Sequence, residues 1–80
     1  MGNQRYLGKV ATAMMEKRKA KLGNRISAWI DIFAPDRFDE IKEDVCDWID
    51  SRYSDWDFWR RYYQIEESTI EYLEKRWTHP

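Results

Sequence analysis

Thirteen of the 80 residues are aromatic, and five of the thirteen are tryptophan. A chain of this length forms one domain and buries only a modest share of its surface, because the ratio of surface to volume rises as proteins get smaller. So many large rings need either a dense core or a surface shared with another molecule. The sequence therefore predicts a single domain over residues 1–80 that acts by association.

The formal net charge of −1 hides a strong segregation of charge along the chain. Residues 1–25 carry seven basic residues and one acidic residue, whereas residues 26–80 carry seven basic and fourteen acidic residues. Such an asymmetry is typical of proteins that meet charged partners or assemble through paired charges. The charge content also argues against a membrane span.

The chain offers little for catalysis or metal binding. It has one cysteine and one histidine, so neither a disulfide framework nor a zinc site is expected within one chain. Cys46 is expected at the flank of a helix rather than as a nucleophile, because His79 stands next to the terminus. We expect a non-enzymatic protein without metal or cofactor. A lone cysteine and no apolar leader favour the cytoplasm.

Only three glycines and two prolines interrupt the sequence, which favours an all-α fold, a small bundle of three to four helices. A basic N-terminal helix is predicted at about 3–22, with Asn3 as its cap and Gly23-Asn24 as a left-handed end. Its apolar face is predicted from a set at helical spacing: Leu7, Val10, Ala11, Met14 and Met15.

Residues 25–33 can be interpreted in two ways. With a period near 3.6 residues, Ile26, Ile30 and Phe33 share a helical face, and with a period of two, Ile26, Ala28 and Ile30 share a strand face. A short helix is favoured because the chain has no second clean strand to pair with this segment. The alternative is an α+β fold with a short strand at 25–33.

The second half of the chain predicts two helical regions. An acidic amphipathic helix is expected over about 36–53, with Pro35 in its first turn. An aromatic helical region is expected over about 55–77, starting at a capping box from Ser54 to Asp57. A second possible box at 68–71 leaves open whether this region forms one helix or two.

An acidic stripe is the sharpest candidate site. Its five carboxylates recur at steps of four, three, four and three residues: Asp36, Glu40, Glu43, Asp47 and Asp50. On a helix they share one face and stand about 5–6 Å apart along the axis, close to the spacing of phosphates along a nucleic-acid strand. The stripe predicts either a docking surface for a basic partner, such as a nucleic-acid-binding protein, or a solvated helix face.

An aromatic–Arg cluster is the second candidate site. Its members are of the types enriched at the centres of protein interfaces: Trp56, Trp59, Arg60, Tyr62 and Tyr63. On a helix these rings would cover both sides, which one small core cannot absorb. The cluster therefore predicts a contact with a partner protein or with a second copy of the chain.

A basic segment is the third candidate. Its residues could contact phosphates, or the acidic stripe of a second protomer: Lys17, Arg18, Lys19, Lys21 and Arg25. Neither a helix-turn-helix nor a zinc module accompanies it, so nucleic acid is the less favoured partner.

Taken together, these features predict a protein-binding module, an inhibitor or adaptor that is itself a homodimer. It would block or recruit its partner through the aromatic–Arg cluster and the acidic stripe. In composition the chain is similar to short phage or mobile-element proteins, which implies a counter-defence role on a host protein. The alternative is a small nucleic-acid-binding regulator that uses the basic segment.

Overall fold

A computed structural model describes residues 8–78, and this part of the chain is almost entirely helical. The elements are helix α1 (Lys9–Phe33), a 3₁₀ turn (Pro35–Arg37) and helices α2 (Phe38–Arg52), α3 (Asp55–Arg60) and α4 (Tyr62–Trp77). The prediction of an all-α bundle is confirmed. No strand occurs in residues 8–78, so the alternative of a strand at 25–33 is wrong.

Helix α1 runs without a break through Gly23, where the sequence analysis placed a left-handed helix end. That prediction is wrong, since no residue from 8 to 78 has a positive φ. Glycine lowers helix stability by about 1 kcal/mol relative to alanine. Here the helix is held on both sides of Gly23 by buried Leu22 and Ile26, whose burial outweighs this cost. The predicted cap at Asn3 lies outside the described residues.

The three long helices form a bundle. Helix α2 runs antiparallel to α1, since Leu22 and Ile49 line one groove while Lys42 donates a hydrogen bond to Ser27 further along α1 (3.1 Å). Helix α4 runs in the same direction as α1. Lys21 lies over the ring of Tyr62, and four residues further along both helices Arg25 pairs with Glu66 (3.5 Å).

One hydrophobic core joins all four helices. Its members are Met15, Leu22, Ile26, Trp29, Ile30, Ile41, Val45, Ile49, Phe58, Tyr62, Ile65 and Leu73. Most of the core residues that α1 supplies therefore lie in its C-terminal part. Of the described members of the predicted N-terminal apolar face, only Met15 is buried, and Val10 and Met14 are exposed; Leu7 lies outside the described residues.

The aromatic region divides into two helices, but not at the predicted second box. Ser54 and Asp57 form the predicted capping box, with the Asp57 amide and the Ser54 amide each bonded to the other side chain. Helix α3 ends at Arg60, because the next residue, Arg61, has a non-helical ψ of 34°, and Ser68 lies inside α4. Because neither glycine nor proline marks this break, the sequence could not have located it.

No helix within residues 8–78 combines the length and the apolarity that a bilayer crossing requires.

We predict that Gly23→Ala stabilises the protein by about 0.5–1 kcal/mol, because Gly23 is a helical interior residue and an added Cβ meets no atom within 4 Å. Urea unfolding followed by circular dichroism measures the change. A loss of stability would contradict the continuous helix, since a left-handed helix end would penalise alanine.

Candidate protein-binding surfaces

All five side chains of the acidic stripe are exposed. Asp36 belongs to the 3₁₀ turn, and the other four members lie on α2. The stripe is held rigidly from behind, because Ile41, Val45 and Ile49 on the opposite face of α2 are buried in the core. A row of carboxylates on a fixed helix can meet a partner without the entropy cost of ordering a loop.

One carboxylate of the stripe is engaged within the chain. The Arg37 guanidinium donates two hydrogen bonds of 3.0 Å to Glu40 and lies 4.7 Å from the ring centroid of Trp77. The hydrogen bonds from Arg37 hold the pKa of Glu40 below its usual value. Within residues 8–78 the other four members form no ion pair, so most of the negative charge is available to a partner.

Asp44 flanks the stripe but has a structural role. Its Oδ2 atom accepts hydrogen bonds from the Tyr72 hydroxyl (2.9 Å), Arg76 Nε (3.0 Å) and Trp77 Nε1 (3.0 Å). The ring of Tyr72 also stacks on Trp48, with centroids 4.3 Å apart. Asp44 therefore fastens the end of α4 to α2 and should not be counted with the partner-facing carboxylates.

The aromatic–Arg cluster is only partly available to a partner. Trp56 and Trp59 are half-buried, and the Arg60 guanidinium lies 5.8 Å and 5.2 Å from their ring centroids. Tyr62 is 4% exposed and belongs to the core, whereas Tyr63 is 75% exposed. The structure thus removes Tyr62 from the predicted surface and leaves Arg60 and Tyr63 as its most exposed members.

The Tyr62 hydroxyl is buried and has no hydrogen-bond partner in the described part of the chain. Burial raises the pKa of Tyr62 above its ordinary value, and neighbouring Glu66 adds to the effect. An unpartnered buried hydroxyl costs stability. Tyr62 is therefore held by the packing of its ring rather than by its polar atom.

Most of the basic segment is used inside the chain. Lys19 pairs with Asp55 (2.7 Å), Arg25 pairs with Glu66, and Arg18 donates a hydrogen bond to the Trp59 carbonyl. These contacts attach α1 to α3 and α4. They leave few of the segment's charges free for phosphate, which weakens the nucleic-acid alternative.

Cys46 is half-buried on α2, and burial raises the pKa of its thiol. It is therefore less reactive than an exposed cysteine. Across residues 8–78 no group of three histidine, cysteine or acidic side chains is arranged to hold a metal ion.

A second acidic surface, which the sequence analysis missed, lies on α4. We call it the α1–α4 groove, an open groove of about 570 Å³ between the two helices. It is lined by Arg25, Tyr63, Glu66, Glu67, Ile70, Glu71 and Glu74. The four glutamates fall at helical spacing, which indicates an acidic helix face, but the sequence did not show that Arg25 lies opposite them.

Comparison of the chain with models of known protein families, with curated proteins and with solved structures finds no match. What the protein binds must therefore be inferred from its own surfaces.

We predict that Asp44→Ala lowers the free energy of unfolding by about 2 kcal/mol, because it removes a charged acceptor shared by three donors. Asp47→Ala, an exposed position of the stripe on the same helix, is the matched control and should change stability little. Urea unfolding of both variants measures the difference. Equal stability of the two variants would show that Asp44 does not fasten α4 to α2.

We predict that Tyr62→Phe is at least as stable as the unchanged chain at neutral pH, because it deletes a buried, unpartnered hydroxyl. At high pH the unfolded chain loses the tyrosine proton first, since folding raises the pKa of Tyr62. The free energy of unfolding should therefore fall as pH rises above about 10, and Tyr62→Phe should reduce that fall.

The Tyr62→Phe variant should still lose some free energy of unfolding at high pH, because burial also raises the pKa of Tyr72. Tyr63→Phe, which removes an exposed hydroxyl, is the control for the loss of a tyrosine hydroxyl and should leave the neutral-pH stability unchanged. Unfolding measured from pH 7 to 11 separates the variants. A large loss of stability in Tyr62→Phe at neutral pH would reveal a hydrogen bond from Tyr62.

Proposed function

We propose that the protein is a non-catalytic protein-binding module, an inhibitor or adaptor that docks on a basic surface of a partner protein through the acidic stripe. The observation that carries this proposal is the exposure of all five carboxylates, four of them without an ion pair within residues 8–78. Within residues 8–78 the one ion pair of this row joins Arg37 to Glu40, so the charge of the other four carboxylates is not neutralised by a neighbouring base.

Charge favours a basic protein over nucleic acid as the partner. The stripe would repel phosphates, and the basic segment is largely occupied by contacts with α3 and α4. A nucleic-acid-binding protein presents lysine and arginine side chains at positions suited to a phosphate strand, and carboxylates about 5–6 Å apart along α2 can occupy those positions. The stripe would then compete with the nucleic acid for one surface.

The aromatic–Arg cluster supplies the apolar part of the proposed contact. Long-range attraction between charges raises the rate of association, whereas buried aromatic and arginine side chains give most interfaces their lifetime. Arg60 is exposed over the half-buried rings of Trp56 and Trp59, and the exposed Tyr63 lines one cavity with Trp59 and Arg60. A phage or mobile-element inhibitor of a host protein would need both properties.

We predict that the double charge reversal Glu43→Lys with Asp47→Lys weakens binding to the partner by tenfold or more, mainly by slowing association. The partner is first captured by affinity purification from the source cells and then purified. Surface plasmon resonance at several salt concentrations measures the association rates. Arg60→Ala tests the cluster in the same assay, since Trp59 packs on the core and its loss would also disturb folding.

The matched control is Glu16→Lys with Asp31→Lys, which makes the same change of net charge at exposed positions of α1. It should leave binding close to that of the unchanged chain. Equal binding by all variants would refute docking through the stripe. A mobility shift with DNA or RNA that is lost on raising the salt concentration would instead support the nucleic-acid alternative.

A further inference from the structure

Four of the five large apolar side chains that are exposed within residues 8–78 lie on α1, near its two ends. The five are Val10, Met14, Ile32, Phe33 and Tyr63. Val10, Met14 and Ile32 share one face of α1, and Tyr63 lines the adjoining α1–α4 groove. Phe33 ends the helix. Large apolar side chains that recur along one exposed helix face mark an interaction surface.

The face of α1 that carries these residues is exposed from end to end. Its members follow one another at steps of four, three, four, four, three and four residues: Val10, Met14, Lys17, Lys21, Arg25, Ala28 and Ile32. Such steps keep all seven on one side of a helix. The series is symmetric about Lys21 in spacing, with apolar residues at both ends and three basic residues in the middle.

Symmetry of this kind suits a second copy of the same helix running in the opposite direction. A two-fold axis at Lys21 would set Val10 opposite Ile32 of the partner subunit and Met14 opposite Ala28 of the partner subunit. Interfaces with two-fold symmetry require this self-complementarity, in which each patch meets its counterpart. Basic residues would, however, face basic residues at the centre, so the pairing needs compensating negative charge nearby.

The α1–α4 groove supplies that negative charge. Each copy contributes three bases from the α1 face and four acids from the groove wall: Glu66, Glu67, Glu71 and Glu74. Within residues 8–78 two of these acids form an ion pair, Glu66 with Arg25 and Glu71 with Lys75, and the other two do not. In the pair of copies the Lys17 ammonium group would therefore approach the Glu67 carboxylate of the other molecule, which offsets part of the repulsion between the bases.

We propose that the α1 face and the α1–α4 groove together form a homodimer interface, with the occupant of each groove being α1 of a second copy. The face from Val10 to Ile32 is about 33 Å long, and two adjacent helices are about 20 Å wide, which matches the order of 800 Å² that each partner buries in a standard interface. This surface does not include the acidic stripe of α2 but shares Tyr63 with the aromatic–Arg cluster, so dimerisation and docking through the stripe can be tested separately.

The first test is the mass in solution, measured by sedimentation at increasing protein concentration. We expect a dimer for the unchanged chain and at least a tenfold weaker dimer for Ile32→Glu, with unchanged helicity by circular dichroism. Ala20→Glu is the matched control, because it places the same charge at an exposed position on another side of α1. A monomer for the unchanged chain, or equal dimerisation by both variants, would overturn the proposal.

Disulfide trapping tests the position of the two-fold axis without disturbing the apolar ends. In a Cys46→Ser background, Lys21→Cys should form a covalent dimer much faster than Glu43→Cys, which places a thiol on the acidic stripe of α2. Equal rates of trapping would exclude an antiparallel α1 pair centred at Lys21. If the chain is a monomer and binds a different protein at this face, the homodimer proposal is refuted.

Discussion

The continuity of α1 through Gly23 is the constraint on which the rest of the structure depends. Because the helix does not end there, Leu22, Ile26 and Ile30 stand on one face and form the part of the core that α2 and α4 enclose. The same 25-residue helix also carries an exposed face that is too long for the remaining helices to cover. One face of α1 therefore belongs to the core, and another face of the same helix remains exposed.

The segregated charges of the chain form ion pairs within the molecule. Lys19 and Arg25 pair with Asp55 and Glu66, so the basic part of α1 finds its acidic counterpart on α3 and α4. Such exposed pairs contribute little stability singly, but they favour one arrangement of the helices over others. Within residues 8–78, acids without an ion pair include members of two separate surfaces, the stripe on α2 and the groove wall on α4. One molecule can therefore use two acidic surfaces for two different contacts.

Much of the fold follows from local patterns in the sequence. The all-α class follows from the scarcity of glycine and proline, and the capping box at Ser54 and Asp57 forms as its side chains predict. Other features depend on packing between distant residues. The end of α3 at Arg60 carries no local signal, and Tyr62 differs from its neighbour Tyr63 only in the side of the helix that meets the core. For the same reason the hydrogen bonds that Asp44 accepts from Tyr72, Arg76 and Trp77 could not be predicted from spacing along the chain.

The sequence by itself determined the helical class, the position of the acidic stripe and the amphipathic face behind it, because these depend on residues three or four apart in the chain. Tertiary structure decided which charges remain free, which aromatic rings are buried and how far α1 extends. Those properties depend on residues such as Arg25 and Glu66, which are distant in the chain and close in space. A helix can be predicted from its own residues, whereas which of its residues stay exposed depends on how the neighbouring helices pack against it.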